Sequence, residues 1–227
     1  MRKQILGVNI DDINMAEAMK TVESWISKPG KHYIVTTNPE FIMTAREDST
    51  FKKILNNADL SIPDGKGLRI GTDIECNIPG IDFMEALCKM AAEKAAAVGL
   101  LGGEVGVAEE AIECLQKKYQ KLKVGFMESG REIGEVRDIR EIDILFVAFG
   151  HPKQEYWIYE NLPKLDVKVA MGVGGSFDYI SGKIPRAPKW IRNLGLEWLF
   201  RLIIQPWRIK RQIKLLKYIF LLIFSSN

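Results

Sequence analysis

The chain has 227 residues, 47% hydrophobic and 27% charged, a composition that supports a sizeable folded core and excludes a disordered or collagen-like protein. Its net charge of +3 is unevenly divided: residues 198–227 carry Arg201, Arg208, Lys210, Arg211, Lys214 and Lys217 and no acid, which leaves the rest mildly acidic. Three cysteines, Cys76, Cys88 and Cys114, are odd in number and lie outside any CxxC spacing, which argues against a disulfide framework and for a reducing compartment.

At the amino terminus a brief apolar run gives way to Asp11 and Asp12, unlike a secretory signal. Residues 4–10 read as a first strand. Met15, Ala18, Met19, Val22, Trp25 and Ile26 then recur at helical spacing, closed by Pro29-Gly30. Residues 33–37 are β-branched and aromatic, a buried strand. Asn38-Pro39-Glu40 supplies a cap, a helix-starting proline and a first-turn acid. Thr36, Thr37 and Asn38 are therefore expected at a strand end beside a helix amino terminus, a place that favours anions and sugar hydroxyls.

The helix from about Phe41, broken near Asp48, leads to a short strand over residues 59–62 that stops at Pro63-Asp64-Gly65. That turn displays Asp64 at a strand end. Pro-Asp-Gly is also a plain turn sequence, so on this ground Asp64 is open between a turn residue and a functional one. Residues 81–98 are alanine-rich and helical, and residues 99–101 are a strand. Gly102-Gly103 then opens a helix over residues 105–119; such a turn brings backbone N–H groups near a phosphate, or is simply a turn.

Strands over residues 123–127 and 143–149 continue the series, and Gly150-His151-Pro152-Lys153-Gln154-Glu155 opens the next helix. Gln154 and Glu155 there are either ordinary helix-start residues or ligands of a base or sugar; His151 reads as structural. The strand near Val169 breaks at Gly172, Gly174 and Gly175 into a loop carrying Asp178, Ser181, Lys183 and Arg186. A helical pattern rich in Trp and Arg spans residues 190–211. In a helix from Trp207, the residues Ile209, Ile213, Leu216, Phe220 and Ile223 form an apolar stripe, with Lys210, Lys214 and Lys217 on another face. That tail is too short to span a bilayer, which takes about 20 apolar residues, and suits a membrane interface better than nucleic acid; packing on the body or on a second copy is the alternative.

Repeated strand, loop and helix predict an α/β fold, a Rossmann-like parallel sheet covered by helices on both faces. The expected division is a core of residues 1–195, with lobes of about 1–80 and 81–195 placing Asp64 and Gln154 across one cleft. Residues 196–227 form a basic, amphipathic appendage that meets the membrane and completes the site.

The run of Gly172, Gly174, Gly175, Phe177 and Asp178, then Ser181-Gly182, Arg186-Ala187-Pro188, Trp190, Gly195-Leu196-Glu197-Trp198 and Arg201-Leu202, resembles the signature of the WecB/TagA/CpsF family of bacterial glycosyltransferases. Pro63-Asp64-Gly65 and the Gly150 to Glu155 element extend the resemblance over most of the chain. It implies that Asp64 is the catalytic base and that Gln154 and Glu155 lie at a nucleotide-sugar site. It also implies a polyprenyl-diphosphate-linked amino sugar as acceptor at the cytoplasmic membrane face. The wall teichoic acid branch, which moves N-acetylmannosamine from its UDP form to lipid-linked N-acetylglucosamine, is the first choice; N-acetylmannosaminuronic acid is an alternative donor sugar. Where the family carries an arginine this chain has Asn77, so a phosphate contact there is either missing or made by Lys66 or Arg69.

Glycosyl transfer needs a base at the acceptor hydroxyl and positive charge at the departing diphosphate. No Asp-x-Asp occurs, so a metal ion is not expected and arginine forks take that part: Arg186, Arg192, Arg201, Arg208 and Arg211. With Gly174 these complete the expected substrate-binding set, and in-line attack inverts the anomeric carbon. The rival readings are a nucleotide-cofactor oxidoreductase, in which the glycine run at 172–175 does not lead into a clear helix, and a non-catalytic membrane adaptor. Self-association through the apolar tail stays open.

Overall fold

The computed structural model describes residues 1–130, 139–206 and 209–224; of Asn193, Lys210, Arg211, Gln212, Ile223 and Phe224 it describes the backbone alone. In place of the single strand expected over residues 4–10, the chain opens with an antiparallel hairpin, β1 (Arg2–Ile5) and β2 (Val8–Asp11). Leu6 and Gly7 both take positive φ, 48° and 81°, the two-residue turn that fits strand twist; a leucine in the first position hides it from sequence reading.

Helix α1 (Met15–Ile26) starts where expected, with Asn14 and Glu17 exchanging side-chain and backbone hydrogen bonds in a capping box. β3 (His32–Thr37) leads through α2 (Pro39–Glu47) and α3 (Ser49–Asn56) to β4 (Leu60–Pro63). Asp48 makes the expected break: its carboxylate accepts from Thr50 N and Phe51 N and so starts α3. α4 (Gly80–Lys94) is shorter than its alanines suggest, because Ala95 turns left-handed at φ 55° and β5 (Ala97–Gly102) begins directly after it. Then come α5 (Val107–Lys118), β6 (Lys123–Glu128), β7 (Ile142–Ala148), α6 (Lys153–Asn161) and β8 (Val167–Gly172).

β3 to β8 form one parallel six-stranded sheet in the order β4-β3-β8-β7-β5-β6. Strands from residues 1–80 and from residues 81–195 thus share one continuous sheet. Strand side chains alternate between faces. Ile34, Leu100, Phe146 and Met171 point into a core with α1, α4 and α5, while Val35, Leu101, Val147 and Ala170 point into a second with the hairpin, α2, α3 and α6. Burial on both faces is why these strands read as continuous apolar runs.

Beyond β8 the glycine run leads into a short helix, α7 (Ser176–Ile180), where a loop was expected; Phe177 is wholly buried in the first core and fixes it there. The pattern over residues 190–211 is divided into α8 (Lys189–Leu194), α9 (Glu197–Ile204) and the start of α10 (Ile209–Phe224). Gly195, at φ 79°, ends α8, and Gln205-Pro206 follows α9. α10 lies along α2. Tyr218 is wholly buried in the second core, with Leu215, Ile219 and Leu222 packed around it. The helix therefore docks by a face other than the stripe: Ile209, Ile213, Leu216 and Phe220 are all exposed. No described helix is long and apolar enough to cross a membrane.

Candidate active site

In parallel α/β sheets ligands gather at the carboxyl ends of the strands. Here the ends of β3 and β4 lie side by side, and the Asp64 N–H donates to Thr37 O at 2.8 Å, fixing the Pro63-Asp64-Gly65 turn, in which Gly65 takes φ 90°. The returning chain is pinned by Ile78 N–H to Pro63 O at 2.7 Å. A Cβ on Gly80 would stand 3.1 Å from Thr36 Cγ2 and 3.6 Å from Asp64 Oδ2, so glycine lets the start of α4 approach the carboxyl closely. Asp64 is half-buried. Loss of water pushes its carboxyl up to about 6, while Arg201 and a backbone hydrogen bond from Gly80 pull it back.

Around Asp64 stand the groups that follow β8. Asp82, in the first turn of α4, pairs with Arg186 Nη1 at 2.6 Å and lies 3.9 Å from Arg192 Nη1. Arg201, on α9, pairs with Glu197 one turn away and stacks over the Tyr179 ring of α7 at 4.8 Å. Arg186 Nε and Nη2, Arg192 Nε, Arg201 Nε and Tyr179 Oη are buried with no hydrogen-bond partner among the described residues. Leaving a buried charged donor unmatched costs about 1–3 kcal/mol or more. Arg201 acts on Asp64 directly, and Arg186 and Arg192 gather at Asp82, which also acts on that carboxyl. Arg208 lies outside the described residues, as does the side chain of Arg211.

Strand alternation separates the two threonines. Thr36 faces Gly80 and the Asp64 side, whereas Thr37 is wholly buried on the other face with its hydroxyl 2.7 Å from Ser61 Oγ. Asn38 caps α2, its Oδ1 accepting from Glu40 N and Phe41 N. At the βα turn the Gly103 N–H donates to Ala148 O at 3.1 Å, and a Cβ on Gly102 would meet Phe149 at 2.9 Å; both glycines serve close packing against the end of β7.

Gln154 and Glu155 are almost wholly buried. Gln154 Oε1 accepts from Gly174 N at 2.9 Å and its Nε2 donates to Glu155 Oε1 at 2.6 Å, so they brace the turn before α7. Burial pushes Glu155 up to about 8, opposed by the Gln154 hydrogen bond. Asn77 Oδ1 is buried with no hydrogen-bond partner among the described residues, and Lys66 reaches across to Gly195. Among the described residues no three His, Cys, Asp or Glu side chains are grouped as metal ligands. Asp82, Glu197 and Tyr179 were not picked out by sequence reasoning; an acid two residues after a helix-opening glycine was the one local sign of Asp82.

A doubly covered parallel sheet with a half-buried carboxyl near an arginine at its carboxyl edge is the architecture of an α/β enzyme. Residues 3–227 match the model of the Glycosyl transferase WecG/TagA/CpsF family. A Bacillus spizizenii protein named N-acetylglucosaminyldiphosphoundecaprenol N-acetyl-beta-D-mannosaminyltransferase is 32% identical over 197 residues, covering 82% of this chain and 77% of its own. Proteins of the same name from Bacillus subtilis and Staphylococcus aureus are 30% and 31% identical, covering 90% and 91% of this chain and 87% and 86% of theirs. The chain belongs to this family and is a glycosyltransferase.

Proposed function

We propose that the protein transfers N-acetylmannosamine from UDP-N-acetylmannosamine to N-acetylglucosamine carried on a polyprenyl diphosphate, inverting the anomeric carbon, in the synthesis of a teichoic acid-type wall polymer. The relatives' name supports the sugar and the acceptor. The observation that carries the chemistry is the carboxyl of Asp64 acted on by Arg201 and by Asp82, the latter in turn meeting Arg186 and Arg192, with donors on all three arginines unmatched among the described residues. With its carboxyl pushed up to about 6, Asp64 is ionised at neutral pH yet basic enough to take the acceptor hydroxyl proton as that oxygen attacks. The arginine forks stabilise the departing UDP without a metal ion.

The acceptor is a lipid, and the tail is built to meet one. Trp190, Leu194 and Ile203 are 64%, 65% and 72% exposed on α8 and α9, and Leu216 and Phe220 on α10 are 67% and 59% exposed. Exposed patches of this kind mark interaction surfaces. Lys214 and Lys217 add basic charge, each contributing about 1 kcal/mol near an anionic leaflet. In this reading the protein works at the inner face of the bacterial membrane as a peripheral enzyme, and self-association covers the same surface in its absence.

The test is a panel of UDP-sugars assayed with a short-chain lipid-diphosphate acceptor, with and without EDTA. Turnover with UDP-N-acetylmannosamine that survives EDTA is expected. Turnover with UDP-N-acetylmannosaminuronic acid alone would move the donor, and thermal stabilisation by a nicotinamide dinucleotide but not by UDP would replace the reading.

A further inference from the structure

A line of polar side chains runs from the docked tail through the second core to the turn that launches α7. Lys214 Nζ, on α10, donates to Thr44 Oγ1 at 3.1 Å. Thr44 Oγ1 lies 2.9 Å from His151 Nε2 and 3.0 Å from Glu40 O. His151 Nδ1 lies 3.5 Å from Glu155 Oε2. Glu155 Oε1 accepts from Gln154 Nε2, and Gln154 Oε1 accepts from Gly174 N.

The Thr44 hydroxyl is the node of this line: Lys214 can only donate to it, while its own hydrogen is within reach of both Glu40 O and His151 Nε2. Nδ1 and Glu155 Oε2 face each other in a buried contact at 3.5 Å that is not a hydrogen bond, so this step of the line is one of packing and charge. Burial pushes the Glu155 carboxyl up to about 8, and Tyr33 of β3 and Glu40 of α2 also act on it electrostatically.

The surrounding geometry is fitted to the same line. His151 is stacked on Phe41 with ring centroids 4.3 Å apart and meets the edge of Phe51 at 5.0 Å, which holds both ring nitrogens in place. At Gly172 a Cβ would come within 2.6 Å of Gln154 Nε2 and 2.9 Å of Glu155 Oε1, so this glycine leaves the room in which the pair sits. The line ends at Gly174, two residues before α7, whose Tyr179 is the platform beneath Arg201.

We propose that His151 is a positioning residue: with Thr44 and Glu155 it couples docking of the carboxyl-terminal helix to the turn at residues 172–175, and through Tyr179 to the setting of Arg201. A tail that has swung away leaves Thr44 without its lysine and loosens the turn; a docked tail tightens it. The site is thereby coupled to the state of the surface that meets the lipid acceptor. The inference rests on the proposed function for its ligand, UDP, but not for its first readout.

The experiment uses the full chain. Amide hydrogen exchange at Gly174 and the affinity for UDP are measured in Lys214→Met, Glu155→Gln and the double variant, and in His151→Phe and His151→Gln. Lys214→Met, at the edge of the body, is expected to speed Gly174 exchange and to weaken UDP, each about fivefold, with little added effect in the Glu155→Gln background. His151→Phe keeps the ring stack and loses the nitrogens, so it is expected to match Lys214→Met, while His151→Gln, which keeps a donor and an acceptor, recovers part of the loss. Unchanged Gly174 exchange in Lys214→Met, strictly additive effects, or His151→Phe outperforming His151→Gln would overturn the proposal. Should the parent protein not bind UDP, the functional reading falls, and the exchange result alone decides this one.

Discussion

The sheet and the three last helices handle their apolar and charged groups in opposite ways. Between the strands, side chains such as Phe146, Val147 and Met171 are buried completely, and the buried carboxamide of Gln154 is matched to Glu155 Oε1 and Gly174 N, although Glu155 Oε2 and Tyr33 Oη have no hydrogen-bond partner among the described residues. Along α8, α9 and α10 large apolar residues stand exposed, and Arg192 and Arg201 keep buried nitrogens with no partner among the described residues. The first region is held mainly by its own packing. The second carries exposed apolar surface and unmatched arginine donors, the two features on which the proposed lipid and anion contacts rest.

Asp64 belongs to the sheet side of this divide and supplies the largest test of it. Asp64→Asn is expected to lower kcat by about a thousandfold, the range of general-base catalysis, with UDP affinity held within about threefold. Calorimetry beside the transfer assay checks both numbers, and an adaptor with no catalysis would show no change in either. Truncation after Gly195 removes Arg201 and the exposed helices α9 and α10 together, leaving α8 in place. We expect a more soluble protein that has lost about a hundredfold or more of its activity on a lipid-linked acceptor, the scale of losing one charge-stabilising donor. Full activity of the truncated form would erase the distinction drawn between the two regions.

Tyr218 is where the two regions meet, and it sharpens the boundary. Tyr218→Ala empties a wholly buried position and is expected to cost about 3 kcal/mol in denaturant unfolding, with α10 amides exchanging first. Replacing Ile213, Leu216 and Phe220 by serine is expected to leave that stability within about 1 kcal/mol, since these residues are exposed, and to weaken binding to anionic vesicles. Equal vesicle binding would assign the stripe to another partner. The smallest effect concerns Glu155. Its carboxyl, held up to about 8 against an ordinary 4.5, contributes stability that is complete below the unfolded value and is lost as pH rises through about 8. Glu155→Gln should flatten the fall in Tm across that window, and parallel curves would contradict it.

What the sequence disclosed follows the range of the forces involved. Asn38, Asp48 and Pro63-Asp64-Gly65 act on their immediate neighbours, so a cap, the helix break and the displayed carboxylate were legible, whereas the capping box at Asn14 was not read. Burial of the strands on two faces was legible as unbroken apolar runs. Asp82 meeting Arg186, Tyr179 beneath Arg201, and Thr44 beside His151, 107 residues away, exist only after folding and leave no periodicity to read. The tail shows the limit most sharply. Both faces of α10 are apolar, so its composition did not reveal that Leu215 and Tyr218 would be taken by the body while Ile213 and Leu216 stayed outside. Thr37 and Gln154 were legible as strand-end and helix-start residues, yet strand parity and a buried amide turned them toward Ser61 and Gly174.

The central claim is that the Asp64 carboxyl, raised by burial and held by Arg201, takes the acceptor proton. The most direct measurement is kcat/KM for the acceptor across about pH 5 to 8, at a UDP-sugar concentration well below its KM. A rise of unit slope that bends near pH 6 and then levels is the predicted result, since the base must be ionised to act. A profile that is flat across this range, or that falls as pH rises, would contradict it.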